Sequence, residues 1–323
     1  MQYYDIFLNQ VHFNFNFFTL TGPGLIFLLP AMKQIIYPIL FFLTFCSSQD
    51  PRDKKYPIQD DLFKKREALF QLETKKLKEI SGIEASNLHS GLFWGHNDSG
   101  DDARIYLFDI TGKILSSYLL KNKTHRDWED ITAYEESNVS YLIIADIGDN
   151  KAKREYLTLY RIREPQDLAE SSYTIPEEEI ESMQITYSEG PRDAETLFYD
   201  HLSENLILIT KREENVLVYS FPFERDAQRE ITSLGTLPLQ NIVAGDANSF
   251  GEILIKNYDN IFYWGASGQS MTERILNLPE VRIPYQPEPQ GEAICWDETR
   301  SFYVISEAEE SVPQIFYHYG RLR

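Results

Sequence analysis

Acidic side chains recur at fixed positions in this chain. Two copies of the pattern Asp-x-Gly-Asp begin at Asp98 and Asp146. A second phrase, Glu-x-Ile or Glu-x-Leu, begins at Glu129, Glu195 and Glu292. Carboxylate oxygens in this number suit a hard cation such as Ca²⁺, which takes about six to eight oxygen ligands. The candidate metal ligands are Asp98, Asp146, Asp149, Glu129, Glu195 and Glu292.

Three further residues near these acids have side chains that could take part in chemistry. Lys211 and Arg212 form a basic pair that we expect to hold an anionic substrate. His96 is the best candidate for a catalytic acid or base, because it lies close to Asp98 in the chain and histidine titrates near neutral pH. Two alternatives need no ligand: basic residues pair with the acids, or the Asp loops accept hydrogen bonds from their own backbone turns.

A repeat of about 48 residues positions these acids. Strand-like phrases begin at residues 81, 129, 195, 243 and 292, with spacings of 48, 66, 48 and 49. Each is followed by turn residues and a second apolar run, which indicates an antiparallel hairpin. Repeats of this length built from strands predict an all-β propeller. Since the first strand of each blade lines the channel, the acids are expected at one channel mouth.

We predict five blades in this propeller. The fifth repeat ends about one strand short of a full period, and a strand within residues 69–80 is expected to complete it. Closing a ring with strands from both ends of the chain leaves no exposed sheet edge. The long spacing is interpreted as a surface insertion around residues 165–181. A six-bladed propeller with one degenerate blade is the alternative.

The amino terminus predicts export. Residues 32–46 combine a basic start, a short apolar run and Cys46, which is typical of a lipoprotein signal peptide lipidated at that cysteine. Residues 1–31 are interpreted as an extension from the gene prediction, 47–68 as a polar tether and 69–323 as the propeller domain. An uncleaved membrane anchor across 25–45 and a cytoplasmic chain are the alternatives.

Composition excludes several classes of function. The 323 residues include 31 basic and 50 acidic side chains, a net charge of −19 that argues against nucleic-acid binding. With only Cys46 and Cys295, the chain cannot build a Cys/His metal site. The sequence also lacks a phosphate-binding Gly-rich loop, a Gly-x-Ser-x-Gly elbow and a His-Glu-x-x-His motif.

As a set, several phrases carry a resemblance that covers most of the folded part. They are 96–100 (His-Asn-Asp-Ser-Gly), 127–131 (Asp-Trp-Glu-Asp-Ile), 146–150 (Asp-Ile-Gly-Asp-Asn), 161–165, 193–197 (Asp-Ala-Glu-Thr-Leu) and 291–294. The chain resembles a family of exported bacterial β-propellers, most of them uncharacterised. More distantly it is similar in architecture to calcium-dependent propeller hydrolases of the gluconolactonase-like and phytase-like kinds. That resemblance implies Ca²⁺ at an acidic channel mouth, where the ion activates water or orients a phosphate or ester.

Two functions are therefore expected. The first is an exported, membrane-anchored lipoprotein that acts as a binding or structural module at the cell surface or in the periplasm. Its partners would be the membrane, through the lipid anchor, and a protein, glycan or small anionic ligand. The alternative is a calcium-dependent hydrolase of an ester or phosphoester.

Overall fold

The computed structural model describes residues 55–72, 76–168, 171–308 and 313–322. The expected extension, signal peptide and lipidation site at Cys46 lie outside these residues. No helix among the described residues is long and apolar enough to cross a membrane. The regular secondary structure of the described residues is almost entirely β-strand, with one short α-helix, α1 (Met271–Arg274).

Five sheets, antiparallel apart from one added outer strand in each of two blades, begin at the five predicted repeat positions. Their first strands are β2 (Ile80–Ala85), β6 (Trp128–Glu136), β11 (Ala194–Asp200), β16 (Ile242–Ala247) and β20 (Ala293–Trp296). Each first strand contacts that of the next sheet, and β20 contacts β2. The sheets therefore form a closed ring around a channel lined by these strands, which confirms a five-bladed propeller.

The remaining strands follow outward in each blade. Blade one continues with β3 (Leu92–Asn97), β4 (Arg104–Asp109), β5 (Ile114–Leu120) and β9 (Tyr173–Ile175). Blade two continues with β7 (Val139–Asp146), β8 (Leu157–Arg163), β10 (Glu181–Tyr187) and β14 (Gln228–Ile231). Blade three continues with β12 (Asn205–Thr210), β13 (Val216–Phe221) and β15 (Gly235–Leu237). Blade four continues with β17 (Ile253–Asn257), β18 (Ile261–Trp264) and β19 (Val281–Ile283). Blade five continues with β21 (Phe302–Ile305), β22 (Ile315–Tyr319) and β1 (Glu67–Gln71).

A strand from the amino-terminal side closes the ring, as predicted. β1 pairs antiparallel with β22, with Ala68 opposite Tyr317. It lies at 67–71, near the start of the window expected for it, and residue 80 already belongs to β2. The shortened fifth repeat is thus completed from the other end of the domain.

The long repeat interval contains an insertion rather than a sixth blade. Its strand β9 adds to blade one in parallel with β5. The chain then makes a 3-10 turn at Glu177–Glu179 and enters blade two as β10. In the same manner β14, which precedes the last strand of blade three, adds in parallel to β10 of blade two.

Side chains that point alternately to the two faces of each strand pack neighbouring blades together. In β12, Leu206 and Leu208 join an apolar cluster shared with blade two. The intervening Ile207 and Ile209 join a separate cluster shared with blade four. Successive residues of a strand point to opposite faces, so a blade buried on both sides reads as a continuous apolar run.

Residues 55–68, assigned to the tether from the sequence, contact blades four and five. The Tyr56 ring packs edge-on against Phe262 at 5.7 Å, and the Phe63 ring against Phe302 at 4.9 Å. The Arg282 N–H also donates to the Pro57 carbonyl at 2.8 Å. This segment therefore forms a strap over the last two blades before it continues into β1.

Candidate functional site: an acidic channel mouth

A shift of strand register turns the first acids toward the channel mouth. The pairing of β6 with β7 shifts between Trp128 and Asp130, and that of β11 with β12 between Ala194 and Thr196. The extra residues are Glu129 and Glu195. An additional residue of this kind, as in a β-bulge, re-aims side chains where a strand begins. Both glutamates are only 4% exposed.

Three carboxylates of blades one and two converge at this mouth. Asp98, Asp127 and Glu129 each present an oxygen within 4.8 Å of the others. Oδ1 of Asp98 is buried and has no hydrogen-bond partner among the described residues. Burial, with the adjacent charge of Asp127, raises the pKa of Asp98 to about 8. In the absence of a cation, a proton held by Asp98 is thus shared with Asp127 through a hydrogen bond.

Gly148 explains why an Asp-x-Gly-Asp pattern lies here. A Cβ at this position would overlap Oε1 of Glu129 and lie 2.5 Å from Oδ2 of Asp127. The missing side chain makes room for the two carboxylates. In the other copy Gly100 has a different role, because its φ of 72° lies in the left-handed region that glycine adopts without strain.

A second group of acids already has internal cations. Glu129, Asp193 and Glu195 also present oxygens within 4.8 Å of one another. The Lys211 ammonium pairs with Oε1 of Glu195, and the Arg212 guanidinium pairs with Oδ2 of Asp193. Burial acts to lower the pKa of Lys211, but Glu195 and its neighbours raise it above the ordinary value. The two predicted substrate-binding residues therefore lie at the mouth, and each is engaged by a carboxylate.

Blade five adds two more acids to the mouth. Glu292 accepts a hydrogen bond from the Tyr258 hydroxyl and lies 3.8 Å from the Lys211 ammonium. Burial and the nearby charges of Glu292 and Asp98 raise the pKa of Glu307 to about 8. Carboxyl groups thus line the mouth on the blade-five side as well.

Asp146 and Asp149 make contacts that differ from those of the converging acids. Asp146 forms a buried ion pair with Arg154 at 2.7 Å. Oδ2 of Asp149 accepts the backbone N–H groups of Lys153 and Arg154, both at 2.7 Å. Asp149 therefore caps its own turn, the arrangement that the sequence left open as an alternative to ligation. Neither residue belongs to the two converging groups found among the described residues.

His96 lies beneath the mouth in the packed interior. It is fully buried, and its Nδ1 is 3.0 Å from the carbonyl of Asn97. Its ring packs against Trp128, and a Cβ at Gly82 would overlap its Nε2. Burial lowers the pKa of His96 to about 4, so the imidazole is neutral at neutral pH. Its proposed role as an acid or base stays a prediction.

Asp127 and Asp193 lie at the mouth but were not among the candidate ligands predicted from the sequence. Both precede a channel strand by the same distance, in Asp127-x-Glu129 and Asp193-x-Glu195. That repeated Asp-x-Glu spacing was the available signal. Each of these aspartates stands two residues before the first position of its repeat and so lies outside the repeated phrase itself.

The fold and this site define a five-bladed β-propeller with an acidic channel mouth. No protein-family model matches the sequence, and no curated protein matches it. Among solved structures, it is similar to a glutaminyl cyclase from Myxococcus xanthus, with 10% identity, a TM-score of 0.45, and coverage of 80% of this chain and 97% of that chain.

Two further structural neighbours have comparable scores. For a gluconolactonase from Xanthomonas campestris the identity is 10%, the TM-score 0.43, and the coverage 71% of this chain and 68% of the other. For a luciferin-regenerating enzyme the identity is 10%, the TM-score 0.42, and the coverage 79% and 95%. Likeness of this degree carries no statement about chemistry.

Proposed function

We propose that this chain is an exported, membrane-anchored β-propeller whose channel mouth binds a divalent cation, Ca²⁺ by preference, and that it acts as a binding or structural module. The observation that carries the cation is the convergence of Asp98, Asp127 and Glu129 around a buried, unpartnered Oδ1 of Asp98. The space at Gly148 fits the same interpretation, because the backbone leaves room for two of these carboxylates.

The absence of basic partners distinguishes Asp98, Asp127 and Glu129 from the neighbouring acids Asp193 and Glu195. Asp193 and Glu195 each have a basic partner, whereas no ion pair of Asp98, Asp127 or Glu129 occurs in the described part of the chain. Buried carboxylates that lack a cation keep protons instead, as the raised pKa of Asp98 indicates. Asp98, Asp127 and Glu129 would hold the ion, and backbone carbonyls and water would complete the six to eight or so oxygens that Ca²⁺ takes.

Calorimetric titration of the purified chain with calcium, followed by thermal melting, tests this proposal. We expect one bound ion and a rise in Tm, because a ligand that binds only the folded state stabilises it. Glu129→Gln and Asp127→Asn should each weaken binding at least tenfold. Asp149→Asn is the matched control: it removes a carboxylate from the neighbouring loop after β7 and should leave the calcium affinity unchanged. If calcium, magnesium, manganese and zinc all fail to bind, the proposal is wrong.

One observation favours the hydrolase as a second candidate. Asp98 and Asp127 are only partly buried, so the converging group can be reached from solvent. A bound divalent ion would supply Lewis acidity to water or to an ester there. Assays with ester and phosphoester substrates, with and without a chelator, distinguish the two. Hydrolysis that is lost both in chelator and in Glu129→Gln would support the enzyme, and calcium binding without turnover would support the binding module.

The membrane anchor has its own test. We expect the chain produced in a bacterial host to fractionate with membranes and to incorporate labelled fatty acid at Cys46. Cys46→Ser should release it into the soluble fraction. Membrane association that persists in this variant would favour the uncleaved anchor across 25–45.

A further inference from the structure

The opposite end of the channel forms a cavity of its own. It has a volume of about 420 Å³ and is lined by residues from all five blades, at the ends of the channel strands rather than at their beginnings. It contains Glu84 and Ala85 of blade one, Ala133 of blade two, His201 of blade three, Asp246 of blade four and Trp296 of blade five. We call it the far opening. It is separate from the acidic mouth.

The walls of the far opening are acidic. Glu84, Asp246, Asp297 and Glu298 line it, and no lysine or arginine is among its lining residues. Glu84 is 9% and Asp246 is 5% exposed. The charges of Asp246 and Asp130 both act on Glu84, so three buried acids lie close together. Such a group is costly to ionise unless a cation joins it.

These acids are not equally available to a ligand. Oδ2 of Asp246 accepts the Trp296 N–H at 2.7 Å, and its Oδ1 accepts the Ala247 N–H at 2.6 Å. Asp130 likewise accepts the N–H groups of Leu197 and Ile131, both at 2.9 Å. Glu84 has a single backbone hydrogen bond, to Ala133, and no ion pair in the part of the chain that the structure describes. The Glu84 carboxylate is therefore the group with acceptor capacity to spare.

The type of cation follows from these contacts. A calcium ion requires many free oxygens, and backbone N–H groups already occupy both Asp130 and Asp246. An ammonium group needs about three acceptors, which the Glu84 carboxylate and nearby hydroxyl or carbonyl oxygens can provide. The alanine methyl groups of Ala85, Ala133 and Ala247 give the cavity apolar surface that suits a short hydrocarbon chain. The combination matches a small organic amine better than a bare metal ion.

We propose that the far opening binds a small primary amine in its ammonium form, with Glu84 as the charged partner. This site is independent of the cation proposed for the channel mouth. A ligand enters from the end of the channel opposite to Asp98, and its alkyl part lies against the alanine-lined wall. Either site can therefore be absent while the other is present.

Calorimetric titration of the full chain with n-butylammonium tests the proposal, and n-butanol serves as the neutral match. We expect the amine to bind at least tenfold more tightly than the alcohol. Glu84→Gln should abolish that preference, since it keeps the shape of the protonated acid and removes the charge. Glu204→Gln is the matched control: it removes an exposed acid after β11 that does not line the cavity, and it should change nothing. An NMR shift of the Trp296 indole or the His201 ring on addition of amine to the unaltered chain reports binding even if Glu84→Gln does not fold.

Three results would overturn the proposal. Equal affinity for amine and alcohol would reduce the far opening to an apolar cavity. Unchanged amine binding in Glu84→Gln would place the amine elsewhere. Displacement of the amine by calcium in the Glu129→Gln variant, which lacks the mouth site, would show that the far opening takes a metal ion instead.

Discussion

At the scale of single residues, the mouth depends on the missing side chain of one glycine as much as on the acids themselves. Gly148 leaves the space that Asp127 and Glu129 enter. The acids at the mouth then differ by their neighbours: Glu195 and Asp193 have a lysine and an arginine, and Asp98 has another carboxyl group. Carboxylates at one channel mouth thus have different roles, according to the groups beside them.

Gly148→Ala should damage the mouth without changing any charge. The added methyl group overlaps Glu129 and must push both carboxylates outward, so we expect at least a tenfold loss of calcium affinity by calorimetry. Overpacking should also lower the free energy of unfolding by about 1–3 kcal/mol in a denaturant titration. Gly268→Ala is the control, because nothing lies within 4 Å of a Cβ there. Unchanged calcium binding in Gly148→Ala would mean that the ion does not depend on these carboxylates.

At the scale of strands, acids also join one blade to the next. Asp130 on β6 accepts the N–H of Leu197 on β11, and Asp246 on β16 accepts the N–H of Trp296 on β20. The backbone N–H groups at the edge of a channel strand have few hydrogen-bond acceptors nearby. A buried carboxylate that accepts such an N–H group gives a partner to the N–H and to its own oxygen. These bonds hold the channel strands at fixed heights relative to one another.

Asp130→Ala should loosen the contact between blades two and three. It leaves two buried N–H groups unpaired, at a cost of about 2–5 kcal/mol in unfolding free energy. Hydrogen exchange at the Leu197 amide should accelerate more than exchange in blade four. Asp109→Ala, in an exposed turn, is the comparison and should cost far less. Equal exchange at Leu197 in both variants would refute the proposed link.

The sequence predicted strands better than it predicted side-chain directions. Repeats at 81, 129, 195, 243 and 292 located all five channel strands, because apolar runs and turns recur at a nearly constant length. Strict alternation would have sent Glu84 and Asp246 to the opposite face, but register shifts at Ser81 and Val243 turn them into the channel. Such a shift depends on the partner strand, which no local pattern contains. In the same way, the pairing of Asp146 with Arg154 could not be distinguished from metal ligation by spacing alone.

At the scale of the whole molecule, the buried acids make stability depend on pH. Burial raises the pKa of Asp246 to about 7, and burial raises that of Glu84 well above its usual range. A folded-state pKa above the unfolded value means that the folded chain binds more protons between the two values. The stabilisation is therefore fully present below about pH 4 and is lost as pH rises through about 7.

Without added metal, the chain should become less stable by about 3 kcal/mol between pH 4 and pH 7 on account of Asp246 alone. Denaturant titrations at a series of pH values measure this slope. The same titrations on variants that lack one acid separate its contribution from those of the other titrating groups. Glu84→Gln should flatten the slope, since it removes one titrating group and its repulsion on Asp246. A stability that rises steadily from pH 4 to pH 7 in the unaltered chain would contradict the prediction.

Closure of the ring is the other property of the whole molecule that can be tested. A chain that begins at residue 72 lacks β1 and the strap, and it leaves β22 as an open edge over the buried ring of Phe316. We expect a clearly lower Tm and aggregation by light scattering, because an unpaired apolar edge recruits other chains. A chain that begins at residue 55 retains the strap and β1 and should behave like the full chain. Equal Tm values for the two truncated chains would show that closure contributes little.

The strand exchange between blades also dictates an order of events during synthesis. Blade one remains incomplete until residue 175 has been made, and blade two until residue 231, because β9 and β14 are supplied from later parts of the chain. β1 waits longest, since its partner β22 is the last strand of the domain to be made. The first strand of the domain is therefore unpaired until all the other strands of the domain have been made. A chaperone, or transport across a membrane before folding, would protect that strand until its partner arrives.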